Sequence, residues 1–325
     1  MSSLQTIGVD LGDKFSRFCI LSAEGDVQRT GQVGMTRTAM EKFFGDRETA
    51  RVVIEAGTHS PWVSRALTRC KHEVIVGNPR KIRLISGSNN KTDERDAEVL
   101  ARLGRADPKL LSPIQHRGEE AQTDLAVLRA RDALVGTRTK LINTARGIAK
   151  SFGERFASCC SEKFARQARL DMPEALEPAL AAVLDIIENL TEKIRQFDRD
   201  IASLCEKKYP ETRWLRSVHG IGDITSLGYV LTLENPERFV SSRAVGVYFG
   251  MTPRRDQSGG ADKQLHITKA GDEFMRRMLT NAAHHVLGRF GRDSAVRQWG
   301  LKIMARGGKN AKKRAVVAVA RRLAV

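Results

Sequence analysis

The sequence has little of what disulfide frameworks, zinc sites or membrane spans require. Its 325 residues include 5 cysteines, an odd number, and no pair has the C-x-x-C spacing of metal and redox sites. No run reaches the roughly 18 consecutive apolar residues of a membrane span, and the amino terminus lacks a signal-peptide pattern. These absences argue against a disulfide framework and predict a cytoplasmic protein with reduced thiols that does not enter the membrane.

Acidic residues are also scarce relative to basic ones. Lys and Arg number 55 against 38 Asp and Glu, which gives a net charge of +17 and a pI near 10.0. Such a surplus indicates a polyanionic partner, and nucleic acid is favoured over a membrane surface because no apolar span is present. A chain of this length is too long for one ordinary core, so two or three domains are expected.

The first hundred residues have the pattern of an α/β domain. Apolar and β-branched runs over residues 6–12, 15–21 and 50–55 predict strands, and a further strand is expected at 73–76. Between them, Ser60-Pro61 predicts a helix start, because proline is tolerated at the first helical position. Strands interspersed with helices indicate a central mixed sheet.

Four carboxylates occupy chemically suggestive positions in this region. Asp10 and Glu55 each end a predicted strand. Asp93 and Asp96 lie one helical turn apart at a predicted helix start, where either Thr92 or Asp93 is a candidate N-cap. Alone, such an Asp pair is typical of a capped surface helix. Four carboxylates converging at one sheet edge would instead require divalent cations between them, and Mg²⁺ suits oxygen-only ligands. That arrangement is typical of two-metal phosphoryl transfer.

The middle of the chain is expected to be helical and basic. Residues 119–208 predict a helical hairpin or coiled coil, which either packs within the chain or mediates self-association. The prediction depends on a heptad seam in its second half, formed by Leu176, Leu180, Val183, Ile187, Leu190, Ile194, Phe197, Ile201 and Leu204.

A glycine pair follows this segment. Gly220 and Gly222 flank Ile221 before a predicted helix start, which is the pattern of a helix-hairpin-helix motif. Such glycines either shape a turn or let a phosphate approach exposed backbone N–H groups, and the basic charge of the chain favours the second interpretation.

The last hundred residues contain a serine in a polar loop. Ser258 lies in a stretch bounded by proline and glycine, where a serine has no special role by chemistry alone. A flexible basic turn is predicted over residues 306–314, ahead of a terminal helix. Side chains predicted to contact nucleic-acid phosphates in this region are Arg254, Arg255, Lys269, Arg276, Lys312 and Lys313.

Two blocks of sequence resemble a known family. The order I-G-V-D, V-V-I-E-A, N-P and K-T-D-E-R-D-A resembles the RuvC-like, ribonuclease-H-fold domain of DEDD transposases of the insertion sequence one-ten family, which also includes the Piv DNA invertase. The later blocks G-x-T-P-R, S-G, I-T-K-A-G and R-R are similar to the C-terminal transposase domain of that family. Its four acidic positions fall on Asp10, Glu55, Asp93 and Asp96, and its nucleophile on Ser258.

The resemblance implies a three-part organisation. Residues 1–112 would form an α/β RuvC-like domain with the ribonuclease H fold, and residues 113–210 a helical coiled-coil segment. Residues 211–325 would form a mainly α-helical transposase domain that carries the helix-hairpin-helix-like motif and the serine.

The resemblance also implies an activity. A site-specific DNA recombinase would cut and rejoin donor and target DNA through a covalent serine–DNA intermediate, assisted by Mg²⁺ on the acidic tetrad. A structured noncoding RNA, the bridge RNA, would guide it, and the protein would act as a homo-oligomer, a dimer or a tetramer in synapsis.

Other functions fit parts of the sequence. A RuvC-like junction nuclease would use the acidic tetrad with water as nucleophile, and a nucleic-acid-binding scaffold would use neither. An actin-like ATPase or sugar kinase fits residues 7–12, but its second phosphate loop has no counterpart. Should Ser258 not be the nucleophile, the candidates become Tyr209, Tyr229 and Tyr248.

Overall fold

The computed structural model describes residues 4–85 and 92–325. The chain divides into two compact units, Met1–Arg117 and Gly118–Val325, called here the N-terminal and C-terminal units. The division into three domains at residues 112 and 210 stays a prediction.

The N-terminal unit is built on a five-stranded mixed sheet. Its strands are β1 (Thr6–Asp10), β2 (Phe15–Leu21), β3 (Val27–Gly34), β4 (Arg51–Glu55) and β5 (Glu73–Gly77). They are ordered β3-β2-β1-β4-β5; the pairs β3–β2 and β2–β1 are antiparallel, and the pairs β1–β4 and β4–β5 are parallel. The mixed α/β sheet predicted from the sequence is therefore confirmed.

Helices cover both faces of this sheet. They are α1 (Arg37–Gly45), α2 (Ser60–Arg69), α3 (Pro79–Ile85) and α4 (Asp93–Ala106). Alternate strand residues face opposite sides: Ile7 and Val9 join a core with residues of α1 and α2, whereas Val53 packs with Leu100 of α4. The predicted helix starts at Ser60 and Asp93 are confirmed.

Helix α4 lies unusually close to β1. A Cβ built on Gly8 would lie 2.0 Å from the carbonyl oxygen of Ala97 and 2.5 Å from the amide nitrogen of Ala101. Because only glycine leaves room for this approach, Gly8 determines how deeply α4 packs on the sheet.

The C-terminal unit is mainly helical, as predicted. Its helices are α5 (Glu119–Ser151), α6 (Phe164–Leu170), α7 (Glu177–Lys207), α8 (Thr212–Arg216), α9 (Asp223–Leu233), α10 (Ser242–Tyr248), α11 (Glu273–Leu287), α12 (Ala295–Ala305) and α13 (Ala311–Leu323). A two-stranded hairpin, β6 (Pro253–Ser258) and β7 (Ala261–Ile267), interrupts them. Among the described helices, none combines the length and apolar character needed to cross a membrane.

The long helices α5 and α7 pack against each other in opposite directions. Arg131 Nε donates to Asp198 Oδ1 at 2.6 Å, and one heptad further along α5 Arg138 Nη1 donates to Thr191 Oγ1 at 3.2 Å. The partner positions on α7 descend as those on α5 ascend, so the two helices form an antiparallel hairpin.

The buried stripe of α7 differs from the predicted heptad seam at alternate positions. Leu180, Ile187, Ile194 and Ile201 are buried as predicted. At the intervening positions the buried residues are Leu184, Thr191 and Cys205, each one residue after a predicted seam residue that is only partly buried. The apolar pattern could not identify Thr191 because it is polar; it is buried with its hydroxyl donating to the Ile187 carbonyl at 2.8 Å.

Two local predictions for the C-terminal unit were wrong. The polar stretch around Ser258 is strand β6 rather than a loop, and its side chains from Pro253 to Gln257 are exposed, so it shows no apolar alternation. The basic turn expected over residues 306–314 ends earlier, because α13 begins at Ala311 and includes Lys312 and Lys313. Alanine and lysine are good helix formers, which accounts for the earlier start.

We expect Gly8→Ala to destabilise the N-terminal unit by roughly 1–3 kcal/mol, because the new methyl group overlaps the backbone of α4. The control is Gly136→Ala in α5, where a Cβ meets nothing within 4 Å. That change should stabilise the protein by about 0.5–1 kcal/mol, as alanine favours a helix over glycine. Urea denaturation of both variants tests the packing, and equal effects of the two would contradict it.

Candidate active site

Two of the predicted carboxylates end neighbouring parallel strands. In the β1–β4 ladder Val9 pairs with Ile54, so Asp10 and Glu55 each follow by one residue at the carboxyl edge of the sheet. Both are partly buried. The buried residues that precede them fix the strand register. Both carboxylates therefore lie at the same level along the strand direction.

Helix α4 brings the other two carboxylates to the same edge. At its start Glu94 Oε1 lies 3.5 Å from Nη1 of Arg17, the register partner of Asp10. At its end Arg105 Nη2 donates to the Ala23 carbonyl at 2.6 Å, beyond the opposite edge of β1. The helix therefore runs antiparallel to β1, and its first turn, with exposed Asp93 and partly buried Asp96, lies at the carboxyl edge.

The start of α4 is fixed by its cap. Thr92 Oγ1 accepts a hydrogen bond from the amide of Arg95 at 3.3 Å, so Thr92 rather than Asp93 is the N-cap. The acidic first turn is also favoured by the helix dipole. Lys91, the first residue of the K-T-D-E-R-D-A block, lies outside the described residues.

Sharing an edge is not the same as forming a metal site. In the chain from residue 4 to 85 and from 92 onward, no three His, Cys, Asp or Glu side chains are grouped closely enough to hold a metal ion. The structure thus brings Asp10, Glu55, Asp93 and Asp96 to one edge without gathering three of them around one point.

The sequence reasoning did not identify a histidine at this edge. His59, in the loop after β4, places Nε2 3.5 Å from Oδ1 of Asp13, in the loop after β1. The indole N–H of Trp62 donates to His59 Nδ1 at 3.2 Å, so the proton of a neutral ring is on Nε2, facing Asp13. In the sequence, the feature that could have indicated this histidine is its position four residues after Glu55.

Ser258 lies at the end of a hairpin strand. It pairs with Ala261 across a two-residue turn, Gly259-Gly260, and Gly259 has a φ of 58° that favours glycine. A Cβ on either glycine would meet nothing within 4 Å, so the backbone around the turn is open. An approaching polymer backbone would therefore meet little steric hindrance at the turn.

The base of this hairpin is packed through glycine. A Cβ on Gly271 would lie 1.9 Å from the Tyr248 carbonyl oxygen, and one on Gly250 would lie 2.3 Å from the Ala270 amide nitrogen. Arg276 Nη1 donates to the carbonyls of Phe249 and Gly271 at 3.1 and 2.7 Å. These contacts assign Arg276 a role in supporting the hairpin.

The other predicted phosphate contacts lie on exposed parts of the hairpin region. Arg254 and Lys269 are exposed, and Lys269 donates its amide to the Gly250 carbonyl at 2.9 Å. Arg255 is also exposed and pairs with Asp262 across the hairpin at 2.7 Å. Exposed pairs of this kind are weak, so a phosphate could compete with Asp262 for Arg255.

The remaining predicted contacts lie at two helix starts. Helix α9 begins directly after Gly222, as predicted; Gly222 is its N-cap, and a Cβ there would meet nothing within 4 Å. Gly220, with φ 92°, packs against α11. Lys312 and Lys313 are exposed in the first turn of α13, where positive charge is disfavoured by the helix dipole and an anion would compensate it.

Comparison with protein families matches both regions. Residues 7–152 match the transposase model DEDD_Tnp_IS110, and residues 212–300 match the model described as transposase IS116/IS110/IS902 family. The first range includes all four carboxylates, and the second includes Ser258.

Individual relatives carry related names. The chain is 26% identical over 302 residues to the transposase for insertion sequence element IS1111A of Coxiella burnetii, covering 88% of this chain and 79% of that protein. It is 27% identical over 288 residues to the IS1328 transposase of Yersinia enterocolitica, covering 87% and 84%. It is 27% identical over 290 residues to the pilin gene-inverting protein of Moraxella bovis, covering 85% and 78%.

The chain is therefore an insertion-sequence transposase. Its α/β unit holds the carboxylates at one sheet edge, and its second unit is basic and mainly helical. The chain belongs to the IS110 family of these enzymes.

We expect Gly271→Ala to loosen the serine hairpin, because its methyl group would overlap the Tyr248 carbonyl. Trypsin should then cleave after Arg255 or Lys263 faster than in the wild type. The control is Gly260→Ala at the open turn, which should leave the digestion rate unchanged. Mass spectrometry of timed digests identifies the cut sites, and an unchanged rate for Gly271→Ala would contradict the packing.

Proposed function

We propose that this transposase cuts and rejoins DNA through a covalent bond to Ser258, with divalent cations at the acidic sheet edge and a structured noncoding RNA as guide. The observation that carries the proposal is the match to both family regions, one with the four carboxylates and one with the serine. The charge of +17 supports partners with phosphate backbones, both DNA and RNA.

The sheet supports a RuvC-like, ribonuclease-H-type fold for the N-terminal unit. Its antiparallel strands β1 to β3 continue into parallel strands β4 and β5, and acidic residues end the two adjacent strands β1 and β4. A nucleic-acid strand that approached from the carboxyl edge would meet Asp10 and Glu55.

The donor set fits Mg²⁺ by chemistry. Asp10, Glu55, Asp93 and Asp96 offer carboxylate oxygens, the ligands that this hard cation prefers. Rotation of these side chains would bring their carboxylates together around a cation. The side chains have space to rotate because they are exposed or only partly buried. When bound, the cation supplies charge stabilisation to a phosphoryl group during transfer. The protein's own contribution is to hold the carboxylates at one edge through β1, β4 and the start of α4.

At the serine, the proposed step is a transesterification. The Ser258 oxygen bonds to a DNA phosphorus, the bond from phosphorus to the 3′ oxygen breaks, and the proton lost by serine ends on that 3′ hydroxyl. The reverse reaction with a different 3′ hydroxyl rejoins strands. Each step breaks one phosphodiester bond and forms another, so no external energy source is needed.

The three alternative tyrosines are all engaged in contacts within the protein. Burial and a 2.6 Å hydrogen bond to Asp124 raise the pKa of Tyr209 to about 12. Burial also raises the pKa of Tyr229, whose hydroxyl donates to the Ala324 carbonyl at 2.8 Å. Tyr248 packs its ring between Phe239 and Phe249, at centroid distances of 5.4 and 5.6 Å.

Contacts to the nucleic-acid backbone are proposed at three places. They are the hairpin (Arg254, Arg255 and Lys269), the glycine turn before α9 (Gly220 and Gly222) and the start of α13 (Lys312 and Lys313). Backbone contacts without base reading suit a protein whose sequence choice is delegated to RNA pairing. A homo-oligomer, a dimer or a tetramer in synapsis, completes the proposal.

Incubation of the protein with Mg²⁺, RNA transcribed from the element ends and labelled element-end DNA should give an adduct that survives denaturation. Ser258→Ala should lose it, because the attacking oxygen is gone. Tyr209→Phe, which retains Ser258, should keep the adduct. An adduct in Ser258→Ala would refute the serine assignment, and cleavage without any adduct would favour the junction nuclease.

Asp93→Asn should lower adduct formation by at least about 100-fold, since it removes a negatively charged carboxylate that would help to hold the divalent cation. The control is Glu94→Gln in the same helical turn, whose side chain pairs with Arg17. It should change the rate less than threefold. RNA binding, measured by filter retention, should be equal in both variants; loss of RNA binding in Asp93→Asn would indicate a structural role for Asp93.

A further inference from the structure

Two histidines distant in sequence meet beside the glycine turn that precedes α9. The Nε2 atoms of His219 and His285 are 3.1 Å apart, and their rings are tilted by 43° with centroids 4.8 Å apart. His219 Nε2 also lies 3.2 Å from the carbonyl oxygen of Phe290. His219 Nε2 thus lies within 3.2 Å of both a second imidazole nitrogen and a carbonyl oxygen of the C-terminal unit.

Close packing of the backbone holds this spacing. A Cβ on Gly220 would lie 3.2 Å from the Ala282 carbonyl oxygen and 3.4 Å from Cδ2 of His285. The turn that carries His219 is therefore seated against the last turns of α11, which carry His285. The ring positions follow from this contact between turn and helix.

The separation suits a bound metal ion. Zinc–nitrogen bonds of roughly 2.0–2.1 Å in tetrahedral geometry place two ligand nitrogens about 3.4 Å apart. The observed 3.1 Å between His219 and His285 reaches that value with a small ring rotation. A direct hydrogen bond between the neutral rings uses the same Nε2 atoms, so metal binding would replace it.

We propose that His219, His285 and the Phe290 carbonyl bind a transition-metal cation of the zinc or copper class, with water completing its coordination. Imidazole nitrogen suits these ions, whereas the carboxylates at the sheet edge suit Mg²⁺. The ion would tie the turn containing Gly220 to α11 and fix the start of α9.

The test uses the full-length protein, purified without a histidine tag and free of metal. Titration with one equivalent of Cu²⁺, followed by electron paramagnetic resonance, should show hyperfine coupling to two nitrogens. Calorimetry with ZnCl₂ should give one site that His219→Ala or His285→Ala weakens at least about tenfold. His284→Ala is the matched control, because His284 is the exposed neighbour on α11 and should leave both signals unchanged.

Folding and thiol binding are controlled separately. Circular dichroism must show the same helicity for each histidine variant as for the wild type, and His219→Gln provides a second variant at the turn. All proteins carry Cys159→Ser and Cys160→Ser, since adjacent thiols bind the same ions. No binding at one equivalent, retention in both histidine variants, or equal loss in His284→Ala would each overturn the proposal.

Discussion

The contact between Gly8 and helix α4 is the constraint on which the acidic edge depends. With the Cβ position of Gly8 only 2.0 Å from a helix carbonyl, α4 must lie directly on β1. Its direction is then fixed at both ends, by Arg17 near its start and by Arg105 near its end. A shift of one helical turn along β1 would carry Asp93 and Asp96 away from Asp10.

The positive charge of the chain is only partly available to a partner. Arg276 is committed to backbone carbonyls at the hairpin base, Arg216 pairs with Asp223 at the start of α9, and Arg131 pairs with Asp198 between α5 and α7. Net charge therefore overstates the phosphate-binding surface. Exposed cations of the hairpin region, such as Arg254, are better candidates than the composition alone could identify.

The sequence predicted elements whose burial pattern is regular and failed where tertiary contacts decide. Buried β-branched runs located Asp10 and Glu55 at strand ends, and capping chemistry located the start of α4. Strand β6 was missed because both its faces are exposed. At Thr191 the buried stripe of α7 departs from the predicted seam because a polar side chain is buried there through its hydrogen bonds. The meeting of His219 with His285 depends on a packing contact that no local pattern encodes.

Each of the three candidate functional elements is positioned by a glycine that packs closely against a neighbouring backbone segment. The acidic turn of α4 depends on Gly8, the serine hairpin on Gly250 and Gly271, and the turn before α9 on Gly220; at each, a Cβ would press on the backbone of a neighbouring segment. Backbone has fewer ways to yield than a side chain, so these contacts fix position more tightly than side-chain packing does. Groups that must meet a phosphate within fractions of an ångström gain most from such anchoring, because small misplacements in phosphoryl transfer are costly. The anchoring glycines should therefore tolerate substitution less well than the exposed cations around them.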